Sequence, residues 1–209
     1  MADPLHDPGR RAIIQRLALG AGGLLAFPFV PSAHPLQHHL RDPAAVALAD
    51  ANAQAASYAP AFLSAHQLET LRLLSDRIVP GSTSAKSAEF IDQLLTVAAA
   101  DEQRDFLQAM GAFEQLATTR AGVPWRQLTD DQQQELLTRA STGRPGTAPE
   151  ARAGAAAPRV VTIRDHFEQL KGWIVGAYYS SEIGMRELGW SGSMIFPEFP
   201  GCTHTGGHA

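Results

Sequence analysis

The residue types best suited to chemistry gather towards the two ends of the chain. Near the carboxyl end, "FPEFPGCTHTGGH" (Phe196 to His208) holds the only cysteine, Cys202, followed closely by His204 and His208. A thiolate and two imidazoles are ligand types for zinc or copper, and a cysteine with a histidine is also the pairing of a thiol nucleophile and its base. Near the amino end, "HPLQHH" brings His34, His38 and His39 into one short stretch. Neither set is complete by itself. The C-x-H-x-x-x-H spacing lacks a fourth ligand and a supporting shell, and His204 sits too close along the chain to reach the Cys202 sulfur easily as a base. Paired carboxylates occur at Asp130 and Asp131. They fall in the first turn of a helix, where negative charge complements the dipole, which is a structural role.

Other catalytic signatures are missing from the sequence. It contains no P-loop, no H-E-x-x-H, no C-x-x-C-H haem attachment site and no G-x-G-x-x-G following a strand. The net charge of −4 gives no electrostatic footprint for nucleic acid, which requires clustered Lys and Arg. With 209 residues, 44% of them hydrophobic, one ordinary core is expected.

The first residues read as an export signal spanning 1–33. "GRRAIIQR" places the pair Arg10 and Arg11 directly before the apolar run "LALGAGGLLAFPFV" (Leu17 to Val30). That run is shorter than the roughly 20 apolar residues needed to span a bilayer, and its glycines suit the weakly hydrophobic core of a twin-arginine signal. Export would place the chain in an oxidising compartment. There an odd cysteine suggests an intermolecular disulfide or a free thiol.

The elements that must position these residues are helical. Residues 34–61, alanine-rich and broken by prolines, are expected to form an extended arm or linker. The folded domain is expected over 62–180. Ser64 with Gln67 forms a capping-box pattern ahead of Leu68, Leu71, Leu74 and Ile78, and Pro80 ends that helix. Phe90, Ile91, Leu94 and Leu95 mark a second helix, opened by Ser87. Phe106, Met110, Phe113 and Ala117 mark a third, which stops near Gly122. Thr129 with Gln132 repeats the capping logic before Leu136 and Leu137. A loop of Ala, Gly and Pro at 143–158 then precedes a last helix from about Thr162, whose face carries Phe167, Leu170, Trp173, Ile174, Ala177 and Tyr178. No stretch alternates like a sheet strand. The fold class is therefore all-α, a small bundle of about five helices. Residues 181–209 are expected to form an irregular tail whose large apolar side chains, Trp190, Phe196 and Phe199 among them, must pack on this protein or on a partner.

Two blocks resemble a known family, the small subunit of membrane-bound gluconate 2-dehydrogenase and related flavin-dependent sugar dehydrogenases, called gluconate 2-dehydrogenase subunit 3. One is "FLSAHQLETLRLLSDRIVPGSTSAKSAEFIDQLL", with the Asp76 to Pro80 turn and the Phe90 to Asp92 segment. The other is "GAYYSSEIGMRELGWSG" with "FPGCTH", Tyr178 to Gly192 and Pro200 to His204. The loop between Pro80 and Phe90 is shorter here than in many relatives.

The resemblance implies a non-catalytic, periplasmic accessory subunit, membrane-associated through its complex. Such a subunit binds, stabilises and helps export by the twin-arginine route a larger FAD-dependent dehydrogenase of the glucose-methanol-choline type, acting on sugars, sugar acids or polyols. A cytochrome c subunit carrying haem c often completes such complexes. No cofactor is expected in this chain. Trp190, Phe196, Phe199, Cys202 and His204 are the candidate partner-binding residues, Cys202 as a candidate for an intersubunit disulfide. The alternative class is a stand-alone periplasmic metal-binding protein using His34, His38, His39, Cys202, His204 and His208.

Overall fold

A computed structural model of the chain describes residues 36, 38–146 and 161–190. Among them are seven α-helices and no strand, in the order α1 (Pro43–Ala53), α2 (Ala65–Ile78), α3 (Ser87–Leu95), α4 (Ala100–Ala121), α5 (Asp130–Thr142), α6 (Ile163–Tyr179) and α7 (Glu182–Glu187). A short 3-10 turn at His39–Arg41 precedes α1, and another at Trp125–Gln127 lies between α4 and α5. The all-α bundle expected from the periodicity is the fold found.

Local capping sets the helix starts as the sequence indicates. The Ser64 hydroxyl accepts from the Gln67 N–H at 3.2 Å while the Gln67 side chain accepts from the Ser64 N–H at 2.9 Å, and Thr129 with Gln132 makes the same reciprocal pair. Each pair satisfies two of the orphan donors of a first turn. At α4 half of the device is present, the Glu102 carboxylate accepting from the Ala99 N–H at 3.2 Å.

α3 is the axis of the bundle. Every one of its residues except Gln93 is buried, and it packs against α1, α2 and α6. A helix covered all round must also bury its polar groups, and each then needs a partner. Glu89, 3% exposed, accepts from the Arg72 guanidinium of α2 at 2.9 and 3.0 Å. Asp92, fully buried, accepts from the Tyr58 hydroxyl at 2.5 Å and from the backbone N–H groups of Ala61, Phe62 and Leu63 at 2.7, 3.1 and 2.6 Å. Burial and the neighbouring Asp92 carboxylate raise the Tyr58 pKa, so its hydroxyl stays a donor.

α6 carries the bulkiest apolar face, as expected, and packs on α3, α4 and α5. Trp173 meets Phe106 edge to face at 5.6 Å, and Phe113 meets Trp125 in the same way at the same distance. Glu114 of α4 ties this core to α2 and to the turn before α5. It accepts from the Thr70 hydroxyl at 2.7 Å and from the Trp125 N–H at 2.9 Å.

Two expectations are corrected. The stretch 34–61 is not an extended arm: it contains α1, whose Val46, Ala49 and Ala53 are buried in the same core as α3. Asp42 caps this helix by accepting from the N–H groups of Ala44 and Ala45, and Pro43 fills the first position, where no N–H is needed. The small side chains at spacing three and four let α1 lie close on α3, so docking comes from shape rather than from a large apolar stripe. The region from 181 likewise does not begin irregularly. Ser181 caps α7 by accepting from the Gly184 N–H at 3.1 Å, and the helix turns the chain back onto α6.

Candidate functional site

The described parts of the two sequence blocks singled out above meet in space at Gly81 and Tyr178. The turn leaving α2 is held by Asp76, whose carboxylate accepts from the N–H groups of Gly81 and Thr83 at 3.2 and 3.4 Å. Gly81 takes φ +92°, a left-handed conformation natural to glycine. A Cβ there would stand 3.2 Å from the Tyr178 hydroxyl, so the turn lies directly against the end of α6. Tyr178 in turn donates to Glu187 of α7 at 2.8 Å, and burial with that carboxylate raises the Tyr178 pKa. Gly184 is equally constrained: a Cβ at that position would fall 2.4 Å from the Tyr178 carbonyl oxygen. Only a glycine lets α7 pass this close to the last turn of α6.

This end presents apolar surface. Ile183 is 43% exposed and Leu188 65%, with Trp190 partly exposed beyond them. Gly189, at φ +84°, ends α7, and the Trp190 N–H donates to the Met185 carbonyl at 3.0 Å. Of the expected partner-binding residues, Trp190 is therefore placed on this face. Phe196, Phe199, Cys202 and His204 lie outside the described residues, as do His34, His208 and the arginine pair of the expected signal, Arg10 and Arg11. Sequence reasoning passed over Ile183 and Leu188. The signal that could have found them is two large apolar residues within and just after a short glycine-containing helix.

A second grouping lies at the amino-terminal side of the fold. His38 and His39 face Glu102 in the first turn of α4, with Nε2 of each imidazole 3.2 and 3.6 Å from the same carboxylate oxygen. The two rings stand 3.8 Å apart, and His39 also packs on Trp173 at 5.6 Å. His39 is 7% exposed, and its Nε2 is buried without a hydrogen bond. Burial, and secondarily the adjacent His38, hold the His39 pKa below the usual histidine range against the opposing pull of Glu102. Among the described residues these three are the grouping whose side chains could hold a metal ion. The sequence pointed to the histidines but not to the glutamate, which is far away along the chain.

Shallow clefts also mark the described surface elsewhere, among them the two best formed. One, of about 220 Å³, lies between α2, α5 and α6, and the other, of about 340 Å³, between α4 and the start of α6. The first is below and the second at the bottom of the range of about 300–1,000 Å³ usual for ligand pockets. No helix among the described residues is long and apolar enough to cross a membrane.

Among the described residues the protein is all-helical, and the end at α7 carries an apolar face against a glycine-dependent turn. The chain belongs to the gluconate 2-dehydrogenase subunit 3 family, whose model matches residues 65–197, well over half of its length. The match includes the first block from Ala65 onward and all of "GAYYSSEIGMRELGWSG", but not "FPGCTH", together with every helix from α2 to α7. Neither a curated protein nor a solved structure matches the chain.

Proposed function

We propose that this protein is the non-catalytic small subunit of a dehydrogenase complex. In this reading it binds and stabilises a larger FAD-dependent partner of the glucose-methanol-choline type that oxidises a sugar, sugar acid or polyol. The twin-arginine signal carries the assembled pair to the periplasm, where the complex associates with the membrane. In complexes of this kind a cytochrome c subunit often accepts the electrons.

The observation that carries the proposal is the apolar face at α7. Ile183 and Leu188 are exposed within the family match, and the chain continues from Trp190 into a tail that carries Met194, Ile195, Phe196 and Phe199. A surface of this kind is stabilised by a partner that removes it from water. Trp190, Phe196 and Phe199 would be its anchors, with Cys202 and His204 as further contact residues. Cys202 is the natural candidate for an intersubunit disulfide after export.

The test is purification from the native host through a carboxyl-terminal tag, with flavin absorbance recorded and reducing and non-reducing gels run in parallel. The proposal expects a co-eluting yellow protein of dehydrogenase size, and a shared band lost on reduction if Cys202 links the chains. A colourless, solitary chain under gentle conditions would overturn it.

A further inference from the structure

We infer that His38, His39 and Glu102 form a binding site for a divalent transition-metal ion of the zinc type, clipping the segment before α1 onto the start of α4. The inference is independent of the accessory-subunit reading.

The geometry is that of a ligand set before the ion enters. In a tetrahedral zinc site with arms of about 2.0–2.2 Å, neighbouring ligand atoms stand about 3.3–3.6 Å apart. The two imidazole Nε2 atoms lie 3.2 and 3.6 Å from the Glu102 oxygen, and one ligand atom from each of the three residues falls within 4.8 Å of the others. Two imidazoles and a carboxylate suit zinc and its neighbours in the transition series, while magnesium and calcium favour all-oxygen shells.

The second observation is His39 itself. Its side chain is 6% exposed, yet its Nε2 makes no hydrogen bond and is aimed at the Glu102 oxygen from beyond bonding range. A buried polar atom without a partner costs stability, and a metal ion between His39 and Glu102 supplies the missing partner. The elements around it are rigid enough to hold a ligand geometry. His39 is wedged against Trp173 of the core, and Glu102 is held by the Ala99 N–H at 3.2 Å. His38, half exposed, leaves the outer side of the site open to water or to a further ligand.

The experiment uses the full-length protein, stripped of metal and titrated with Zn²⁺ alone and separately with Co²⁺, followed by calorimetry and by the visible spectrum of the cobalt form. Expected are one tightly held ion per chain, a cobalt band of low-coordinate intensity and a higher melting temperature with zinc. Glu102→Gln keeps the shape of the side chain and its bond to Ala99, and His38→Gln changes an exposed residue, so neither should unfold the protein. Losing a direct ligand should cost at least the roughly 10–100-fold in affinity that loss of a supporting residue costs. A Cys202→Ser, His204→Ala double variant should bind as the parent does. The inference is overturned if no ion is retained, or if Glu102→Gln and His38→Gln bind as the parent does while the tail variant loses the ion.

Discussion

The substitution Asp92→Asn isolates the polar device that lets a fully buried helix carry a carboxylate. Asp92 accepts four hydrogen bonds, two at each oxygen: Tyr58 and Ala61 on one, Phe62 and Leu63 on the other. An asparagine has nearly the same shape but only one acceptor atom. Whichever way its amide is turned, two donors face its NH₂ group. Hydrogen bonds to charged groups contribute about 1.5–3 kcal/mol each, so losing two costs about 3–6 kcal/mol. Ala61 is exposed and Tyr58 only half-buried, so water can recover part of the loss at those donors and the lower figure is the better estimate. Against a total stability of about 5–15 kcal/mol that is a large fraction. At about 2–4 °C per kcal/mol for a domain of this size, the melting temperature should fall by at least about 6 °C. Thermal and urea denaturation measure the loss, and amide exchange locates it, because the N–H groups of Ala61 to Leu63 should lose protection first. A variant within about 0.5 kcal/mol of the parent, the range of an ordinary surface change, would refute the reasoning.

Gly184→Ala should destabilise although alanine is the better helix former by about 1 kcal/mol. The new Cβ meets the Tyr178 carbonyl oxygen at 2.4 Å and cannot be accommodated by a side-chain shift, so α7 must move and lose protection from amide exchange; a raised melting temperature would contradict this. His166 has its pKa lowered by burial, with Asp165 and Asp105 opposing. The unfolded chain therefore takes up the proton more readily, and stability is complete above the unfolded value of about 6.5 and falls as pH drops below it. His166→Gln should flatten part of that acid-side fall in the urea midpoint, while His39, shifted in the same direction, accounts for a further share. Replacing Ile183 and Leu188 together by serine should leave the melting temperature of the isolated chain nearly unchanged, since both side chains are exposed, and should reduce the flavoprotein recovered in co-purification. Equal recovery would remove this face from the proposed contact.

What the amino-acid sequence determined by itself is what a few neighbouring residues decide. The starts of α2 and α5 rest on Ser64 with Gln67 and on Thr129 with Gln132, pairs three residues apart that close their hydrogen bonds without help from the rest of the chain. The apolar periods of α2 to α6 are equally local, and with them came the all-α class. α1 was misread although Asp42 and Pro43 carried its start signal, because its inner face is Val46, Ala49 and Ala53 and such small residues form a face only when a close neighbour exists. That neighbour, α3, is far along the chain. Tertiary structure alone decided which polar residues would be buried and who would satisfy them: Asp92 finds the N–H groups of residues 61–63, and Glu89 finds Arg72. It also brought Glu102 to His38 and His39, and Gly81 to Tyr178. A hydrogen bond or a ligand set acts over about 3 Å whatever the separation in sequence, so partners joined only by folding leave no spacing to read.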